Sequence, residues 1–203
     1  MFKNKAIVIG SGFAGLSAAT TLANKGFDVA LLEKNDSPGG RARKLEIDGF
    51  TFDMGPSWYW MPDVFENYFS QFGTTVKQHY DLIRLDPSYA VFFSKEQVFR
   101  IPANLNDVYA LFEKQEPGSA NQLKQFLKEA HYKYDVSMSD FVHKPSLSVL
   151  EFIDFRILKA ALRMDLFKSI SSYIRKHFKD QKLIQLLEFP VLFLGAKPNE
   201  TPA

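Results

Sequence analysis

The chain has 203 residues, a formal net charge of +2, and 46% hydrophobic against 24% charged residues. This composition is typical of a globular protein of one or two domains. The absence of cysteine excludes disulfides, thiolate metal sites and cysteine nucleophiles. Aromatic residues make up 15% of the chain, which indicates large apolar surfaces, either in a core or around a lipid-like ligand.

Nothing in the sequence indicates export or a membrane span. No apolar run approaches the ~18 residues that a transmembrane helix needs. The first apolar run begins at Ala6, which leaves no room for a signal peptide before it. We therefore expect a protein on the cytoplasmic side.

The first forty residues predict a β-α-β unit. Ala6–Ile9 and Val29–Leu32 are short apolar runs typical of fully buried parallel strands, and a helical pattern over Leu16–Ala23 lies between them. Six residues join the first strand to this helix: Gly10, Ser11, Gly12, Phe13, Ala14 and Gly15. Their GxGxxG spacing, with a strand before it and a helix after it, is the dinucleotide-binding fingerprint.

Each glycine of this fingerprint has a separate predicted role. Gly10 permits the tight turn, Gly12 lets a pyrophosphate approach the backbone, and Gly15 lets helix and strand pack closely. Glu33, followed by Lys34, ends the second strand and is expected to accept hydrogen bonds from the ribose hydroxyls. A carboxylate there repels a 2′-phosphate, which favours FAD or NAD over NADP. The alternative, a glycine-rich turn in an ordinary α/β domain, leaves Glu33 unexplained.

A hairpin is predicted next, because two alternating runs flank Asp48-Gly49, a strong signal for a type I′ turn. Its expected buried face consists of Leu45, Ile47, Phe50 and Phe52. Two short motifs frame this hairpin. Gly39-Gly40-Arg41 precedes it, and Phe52-Asp53-Met54-Gly55-Pro56-Ser57-Trp58 closes it.

With these motifs the chain resembles the flavin amine oxidase and carotenoid desaturase superfamily. The FDMGPSW segment and the last fifteen residues are most similar to the bacterial-type phytoene desaturases. The resemblance implies FAD, with Gly40 and Arg41 near the flavin and pyrophosphate, and with Gly55, Pro56, Ser57 and Trp58 beside the isoalloxazine ring. A surface position for Arg41, and core positions for at least two of Trp58, Tyr59 and Trp60, are the structural alternatives.

The resemblance also implies an architecture. It is α/β, a Rossmann-like FAD-binding domain interrupted by a mixed α+β substrate domain with a helical, membrane-facing part. Residues 1–75 would begin the FAD domain, 76–143 the substrate domain, and 144–203 a basic helical region with the start of the next substrate-domain segment. Because such enzymes are well over twice this long, we expect an N-terminal fragment that is inactive alone.

The middle of the chain predicts mixed structure. Asp63 is a candidate N-cap for a helix over Val64–Phe72, and strands are expected at Leu82–Leu85, Tyr89–Phe93 and Gln97–Ile101. Two further helices follow, one capped by Asn104 or Asn106 and one over Ser119–Val142.

A basic region comes next. Residues 144–182 hold nine Lys or Arg against four Asp or Glu, and a helix over 150–166 would be apolar on two faces. One face is expected to meet the sheet, and the other the absent part of the chain, a partner or a lipid surface. Peripheral membrane association is therefore expected beside burial by the rest of the protein.

The resemblance implies that a phytoene-like carotenoid loses a hydride to the flavin, and that a quinone or oxygen reoxidises the flavin. Asp53 is a candidate base, although capping of the Gly55 turn explains it equally well, so no catalytic residue is assigned. The four histidines lack metal-ligand spacing, so no metal is predicted, and neither is a nucleic-acid partner. Alternative functions are a carotenoid isomerase, a later-step carotenoid oxidase, an amine oxidase, or a non-catalytic nucleotide- or membrane-binding fragment.

Overall fold

The computed structural model describes residues 4–55, 58–140, 142, 147–148 and 168–203. The chain divides into two compact units, residues 1–82 and 83–203. The first unit contains these elements in order: β1 (Lys5–Ile9), α1 (Phe13–Asn24), β2 (Asp28–Leu32), a 3-10 turn (Gly40–Ala42), β3 (Lys44–Ile47), β4 (Phe50–Asp53), α2 (Pro62–Ser70) and a second 3-10 turn (Val76–Gln78).

The predicted β-α-β unit is present. Strands β1 and β2 pair in parallel, with Lys5 opposite Asp28 and Ile9 opposite Leu32. The expected full burial of the first strand is wrong for this chain, because Ile7 is 69% and Ile9 85% exposed. Parallel strands are buried only when layers cover both faces of the sheet, and within the described residues this sheet has two strands.

Hairpin β3–β4 has the predicted turn. Asp48 and Gly49 both have positive φ, 50° and 78°, as a type I′ turn requires. Leu45 pairs with Phe52 and Ile47 with Phe50, so the four apolar side chains share one face as predicted. Their expected burial is wrong, since their exposed fractions lie between 43% and 66%. The described residues leave this face uncovered.

Two predictions in the next segment are also wrong. The N-cap of α2 is Met61, in the left-handed region, whereas Asp63 lies in the first helical turn after Pro62. Proline suits that position because its missing N–H is not needed there, and a carboxylate in the first turn interacts favourably with the helix dipole. Leu82–Leu85 is not a strand, because the neighbouring strands pair with each other and leave it without a partner.

The second unit combines a hairpin with four described helices. Its elements are β5 (Tyr89–Phe92), β6 (Val98–Ile101), α3 (Leu105–Gln115), α4 (Ser119–Asp140), α5 (Ile170–His177), α6 (Gln181–Glu188) and a 3-10 turn (Phe189–Leu194). The predicted hairpin is confirmed, and so are the helices expected after Asn104 and at Ser119. Of the two candidate caps, Asn104 is the one used, because its side chain accepts the N–H of Asn106 at 2.8 Å.

The core of the described part lies in this second unit. Phe112 of α3 is 2% exposed and meets the ring of Phe178 edge-on, with centroids 5.9 Å apart. The residues packed around them are Ile101, Leu123, Ile174, Leu183, Ile184 and Leu186. The two-faced helix expected over 150–166 lies outside the described residues. Among the helices in the described ranges, none is long and apolar enough to cross a bilayer.

Candidate functional site

The dinucleotide loop lies where β1 gives way to α1, and three segments meet there. The N–H of Gly10 donates to the carbonyl of Leu32 at 2.7 Å, which ties the loop to the end of β2. The N–H of Gly39 donates to the carbonyl of Ser11 at 2.9 Å, which brings the Gly-Gly-Arg turn against the same loop. The structure thus gathers motifs that are almost thirty residues apart in the chain.

Two glycines at this junction are required by close approach. A Cβ added to Gly15 would lie 1.8 Å from the carbonyl oxygen of Gly10. A Cβ added to Gly55, whose φ is +99°, would lie 2.1 Å from the carbonyl oxygen of Arg41. The first contact lets the start of α1 sit directly over the loop, and the second lets the turn after β4 reach the Gly-Gly-Arg segment.

Glu33 is the most extensively hydrogen-bonded side chain of the loop. Its Oε2 accepts the N–H of Ser11 at 2.7 Å and the hydroxyl of Ser11 at 2.6 Å. Its Oε1 accepts the backbone N–H of Asn35 at 3.0 Å and the side-chain amide at 2.8 Å. The Ser11 side-chain bond, followed by the backbone bonds, lowers the pKa of Glu33 to about 2. The carboxylate is therefore ionised at neutral pH.

The remaining predicted cofactor residues differ in how far they are exposed to solvent. Gly12 is the N-cap of α1 and adds no side-chain cap, so it leaves the backbone donors of the first turn to an anion. Phe13 is 62% exposed and meets Phe65 edge-on at 5.9 Å. Ala14, Lys34, Arg41 and Gly55 are exposed, and Gly40 is half-buried. Pro56 and Ser57 lie outside the described residues.

Aromatic side chains follow the Gly55 turn. Trp58 and Trp60 stack with centroids 6.1 Å apart. The hydroxyls of Tyr59 and Tyr80 are hydrogen-bonded at 2.7 Å, and desolvation together with this bond raises the pKa of Tyr59. Tyr59 is 40% and Trp60 52% exposed, so neither belongs to the buried core of the described part. Tyr59 and Trp60 therefore present aromatic surface beside the turn.

Three contributors were missed at the sequence level. Asn35 holds one oxygen of Glu33, Gly39 donates to Ser11, and Tyr80 fixes Tyr59. Asparagine is a common turn residue, and that signal could have pointed to Asn35. A contact such as that of Tyr59 and Tyr80, 21 residues apart, has no local signal.

The site fits the adenosine diphosphate part of FAD. A pyrophosphate needs small residues and backbone donors, and Gly12 faces Gly40 so closely that a Cβ on Gly40 would lie 3.1 Å from the Gly12 Cα. A ribose needs a fixed acceptor, which Glu33 supplies at the loop. In the part of the chain that the structure describes, no group of three His, Asp or Glu residues could hold a metal ion.

A parallel β-α-β unit with this loop and this acid defines a dinucleotide-binding protein of the α/β class. The sequence model of the family described as flavin containing amine oxidoreductase matches residues 13–193. The chain belongs to this family. Membership of a flavin-containing family confirms the predicted FAD.

Individual relatives agree with this family. The chain is 41% identical over 197 residues to a carotenoid 3,4-desaturase of Haloarcula japonica. The matched region covers 97% of this chain and 40% of that protein. It is 32% identical over 197 residues to a zeta-carotene-forming phytoene desaturase of Myxococcus xanthus, covering 97% and 38%. The predicted resemblance to carotenoid desaturases is therefore confirmed. The chain spans about 40% of the length of these relatives.

A solved structure supports the fold alone. An oxidoreductase from Methanosarcina mazei superposes with a TM-score of 0.53 at 18% identity, covering 98% of this chain and 40% of that one. This likeness agrees with the predicted α/β FAD-binding fold.

Proposed function

We propose that the full-length protein is an FAD-dependent oxidoreductase that desaturates a phytoene-like carotenoid. The observation that carries this proposal is the loop in which Ser11, Glu33 and Gly39 meet, because it has the shape and donors for an adenosine diphosphate group. The substrate class follows the two relatives whose names are carotenoid desaturases. A carotenoid hydrocarbon has no polar handle, so its binding depends on apolar burial.

The chain's own residues would bind and orient the cofactor. Backbone donors at the start of α1 would hold the pyrophosphate, Glu33 the ribose, and Arg41 the charge near the ring. The bound flavin supplies the acceptor for a hydride. Trp58, Tyr59 and Trp60 would cover the substrate side and exclude water. Asp53 ends β4 beside the Gly55 turn, and no base is assigned.

The substrate proposal is tested with the purified full-length protein and phytoene in liposomes. We expect a flavin absorbance spectrum from the protein and growing absorbance of a conjugated polyene during turnover. A matched reaction with Gly15→Ala should show less of both, because the added Cβ pushes the first turn of α1 away from the Gly10 carbonyl and weakens FAD binding. Oxidation of amines without any change in phytoene, or isomerisation without desaturation, would replace this proposal with one of the related flavoenzyme activities.

The domain organisation belongs to the same proposal. Residues 1–75 would begin the FAD domain, and 76–143 and 144–203 would form parts of the interrupting substrate domain. Strand β1 and hairpin β3–β4 have exposed apolar side chains, whereas the second unit has a well-packed core. This difference supports an FAD domain that other parts of the protein complete. Limited proteolysis of the full-length protein should then cleave first near residues 75–82 and leave the second unit, residues 83–203, as a resistant fragment.

Peripheral membrane contact on the cytoplasmic side is the second part of the proposal. The excess of nine basic over four acidic residues in 144–182 supports attraction to anionic headgroups. In the described part, Leu192 and Leu194 add exposed apolar surface, at 67% and 73%. Each cation near such a surface contributes about 1 kcal/mol, so five surplus charges suffice for reversible binding.

Liposome flotation tests the membrane proposal directly. The full-length protein should float with vesicles that contain anionic lipid and should be released by salt. Replacing exposed Lys176 and Lys179 by glutamate should abolish flotation. The same charge change at exposed Lys25 and Lys95 is the control and should leave it intact. Equal behaviour of the two double variants would refute a basic contact surface.

The electron acceptor would be a quinone or oxygen. The described residues contain one dinucleotide-binding loop, the one that begins at Gly10. This supports an electron acceptor that is not a nucleotide. Stopped-flow reoxidation of the reduced enzyme separates the two candidates. Rapid reoxidation by a quinone under anaerobic conditions supports the first, and reoxidation only in air supports the second.

A further inference from the structure

Every acceptor position of the Glu33 carboxylate is filled by a neighbour in the chain. A carboxylate offers about four lone-pair positions, two on each oxygen. Ser11 fills both positions of Oε2, through its N–H and its hydroxyl. Asn35 fills both positions of Oε1, through its N–H and its side-chain amide. A ribose diol, which donates through two hydroxyls, can bond to Glu33 only if two of these four donors give way.

The four donors differ in their freedom to move. The N–H groups of Ser11 and Asn35 belong to the backbone of the loop, and the loop is itself held by the bond from Gly39 N to Ser11 O at 2.9 Å. The Ser11 hydroxyl and the Asn35 amide turn about side-chain bonds without moving the backbone. A ribose would therefore replace these two side-chain donors and keep the two backbone donors.

We propose that the Ser11 hydroxyl and the Asn35 amide occupy the positions on Glu33 that the two adenosine ribose hydroxyls take, and that they are displaced when the nucleotide binds. The inference rests on the proposed cofactor. It gives the backbone and the side chains of Ser11 and Asn35 separate roles, because their N–H groups hold the Glu33 carboxylate at the loop. Their side chains compete with the ribose, so part of the binding free energy is lost in breaking their bonds to Glu33.

The burial of Ser11 strengthens the argument for competition. Ser11 is among the most buried polar residues described, with 2% exposure. Its hydroxyl therefore cannot form a hydrogen bond to water in place of its bond to Glu33 while it stays buried. Breaking its bond to Glu33 therefore opposes nucleotide binding. Removing the hydroxyl removes that cost, while the backbone N–H of Ser11 continues to hold Oε2 at 2.7 Å.

The sign of a single substitution distinguishes the two roles. If the hydroxyl competes with the ribose, Ser11→Ala tightens binding of ADP by about tenfold to a hundredfold, the range for one hydrogen bond to a charged group. If the hydroxyl supports the bound nucleotide, the same substitution weakens binding. For an ADP analogue that lacks the ribose hydroxyl that displaces Ser11, the same substitution should change the affinity little. No ribose hydroxyl then enters the position that the Ser11 hydroxyl has left.

The experiment is isothermal titration of the full-length protein, stripped of flavin, with ADP, 2′-deoxy-ADP and 3′-deoxy-ADP at neutral pH. Ser11→Ala and Asn35→Ala should each tighten ADP, and each should lose this gain for one of the two deoxy analogues. Ser17→Ala, a serine on α1 away from Glu33, is the matched control and should leave all three affinities unchanged. Circular dichroism and the thermal midpoint of each variant verify its folding.

Weaker ADP binding in both variants, or equal changes for ADP and both deoxy analogues, overturns the displacement. Failure of the unsubstituted protein to bind ADP and FAD overturns the proposed cofactor site as well. Normal FAD binding with no effect of either substitution overturns only the displacement. Should Ser11→Ala fold poorly, Asn35→Ala decides the question by itself, because its amide is exposed and its removal leaves the loop backbone intact.

Discussion

Substitution of Gly15 by alanine tests the geometry on which the cofactor site depends. The added Cβ would lie 1.8 Å from the carbonyl oxygen of Gly10 and 2.9 Å from its carbon. Comfortable carbon-to-oxygen contacts are about 3.3–3.6 Å, so the first turn of α1 must move from the loop by roughly 1.5 Å. The obstacle is backbone and cannot rotate away.

We expect two effects of this movement. Overpacking of this kind costs about 1–3 kcal/mol, and a backbone clash places Gly15→Ala at the upper end, so the free energy of unfolding should fall by about 3 kcal/mol. The donors at the start of α1 also leave their positions. Hydrogen bonds to a charged group contribute about 1.5–3 kcal/mol each, so losing one should weaken FAD binding by about tenfold to a hundredfold.

The assays are urea unfolding of the full-length protein and titration of its flavin-free form with FAD, followed by flavin fluorescence. Ala18→Ser adds one heavy atom at an exposed position of the same helix and serves as the control, with an expected change within about 0.5 kcal/mol. A Gly15→Ala protein that unfolds and binds FAD like the unsubstituted one would refute the close approach of helix and loop.

Three further predictions concern the loop and the core. Glu33→Gln should weaken FAD binding by about tenfold, because a hydrogen bond to a charged acceptor becomes a neutral one; calorimetric titration measures it. The pKa of Glu33 lies at about 2, below its ordinary 4.5, so its bonds stabilise the fold above pH 4.5 and are lost as pH falls from 4.5 towards 2. Unfolding curves between pH 5 and 2 should therefore show a steeper loss for the unsubstituted protein than for Glu33→Gln, and parallel curves would contradict the assignment. Phe112→Ala, which removes a ring that is 2% exposed, should cost about 3–5 kcal/mol in urea unfolding. Phe92→Ala, at a ring that is 71% exposed, is its control and should change stability little.

Local patterns predicted the elements that form the cofactor loop. The GxGxxG spacing between an apolar strand and a helix predicted the parallel pairing of β1 and β2, and the Asp48-Gly49 pair predicted a type I′ turn. Both depend on backbone conformations that neighbouring residues dictate, so they can be inferred from a short window. The Asp63 cap failed because a Pro-first helix start competes for the same position, and propensity alone does not decide between them.

Burial was predicted less well than conformation. Ile9 and Phe50 have the pattern of core residues, yet they are 85% and 66% exposed. Amphipathic alternation shows that a face must be covered, but it does not say which part of the chain covers it. The residues that cover Ile9 or Phe50 need not be their neighbours in sequence, so a window around either residue cannot reveal them.

The sequence by itself determined the family, the fingerprint loop and the acid that follows the second strand, because each is a local arrangement of residue types. Only the tertiary structure showed that Ser11 and Asn35 surround Glu33 and that Gly39 closes on Ser11. It also showed that a Cβ on Gly55 would meet the carbonyl oxygen of Arg41. These contacts join residues that are far apart in the chain or depend on how side chains turn, and both are decided when the loops pack together.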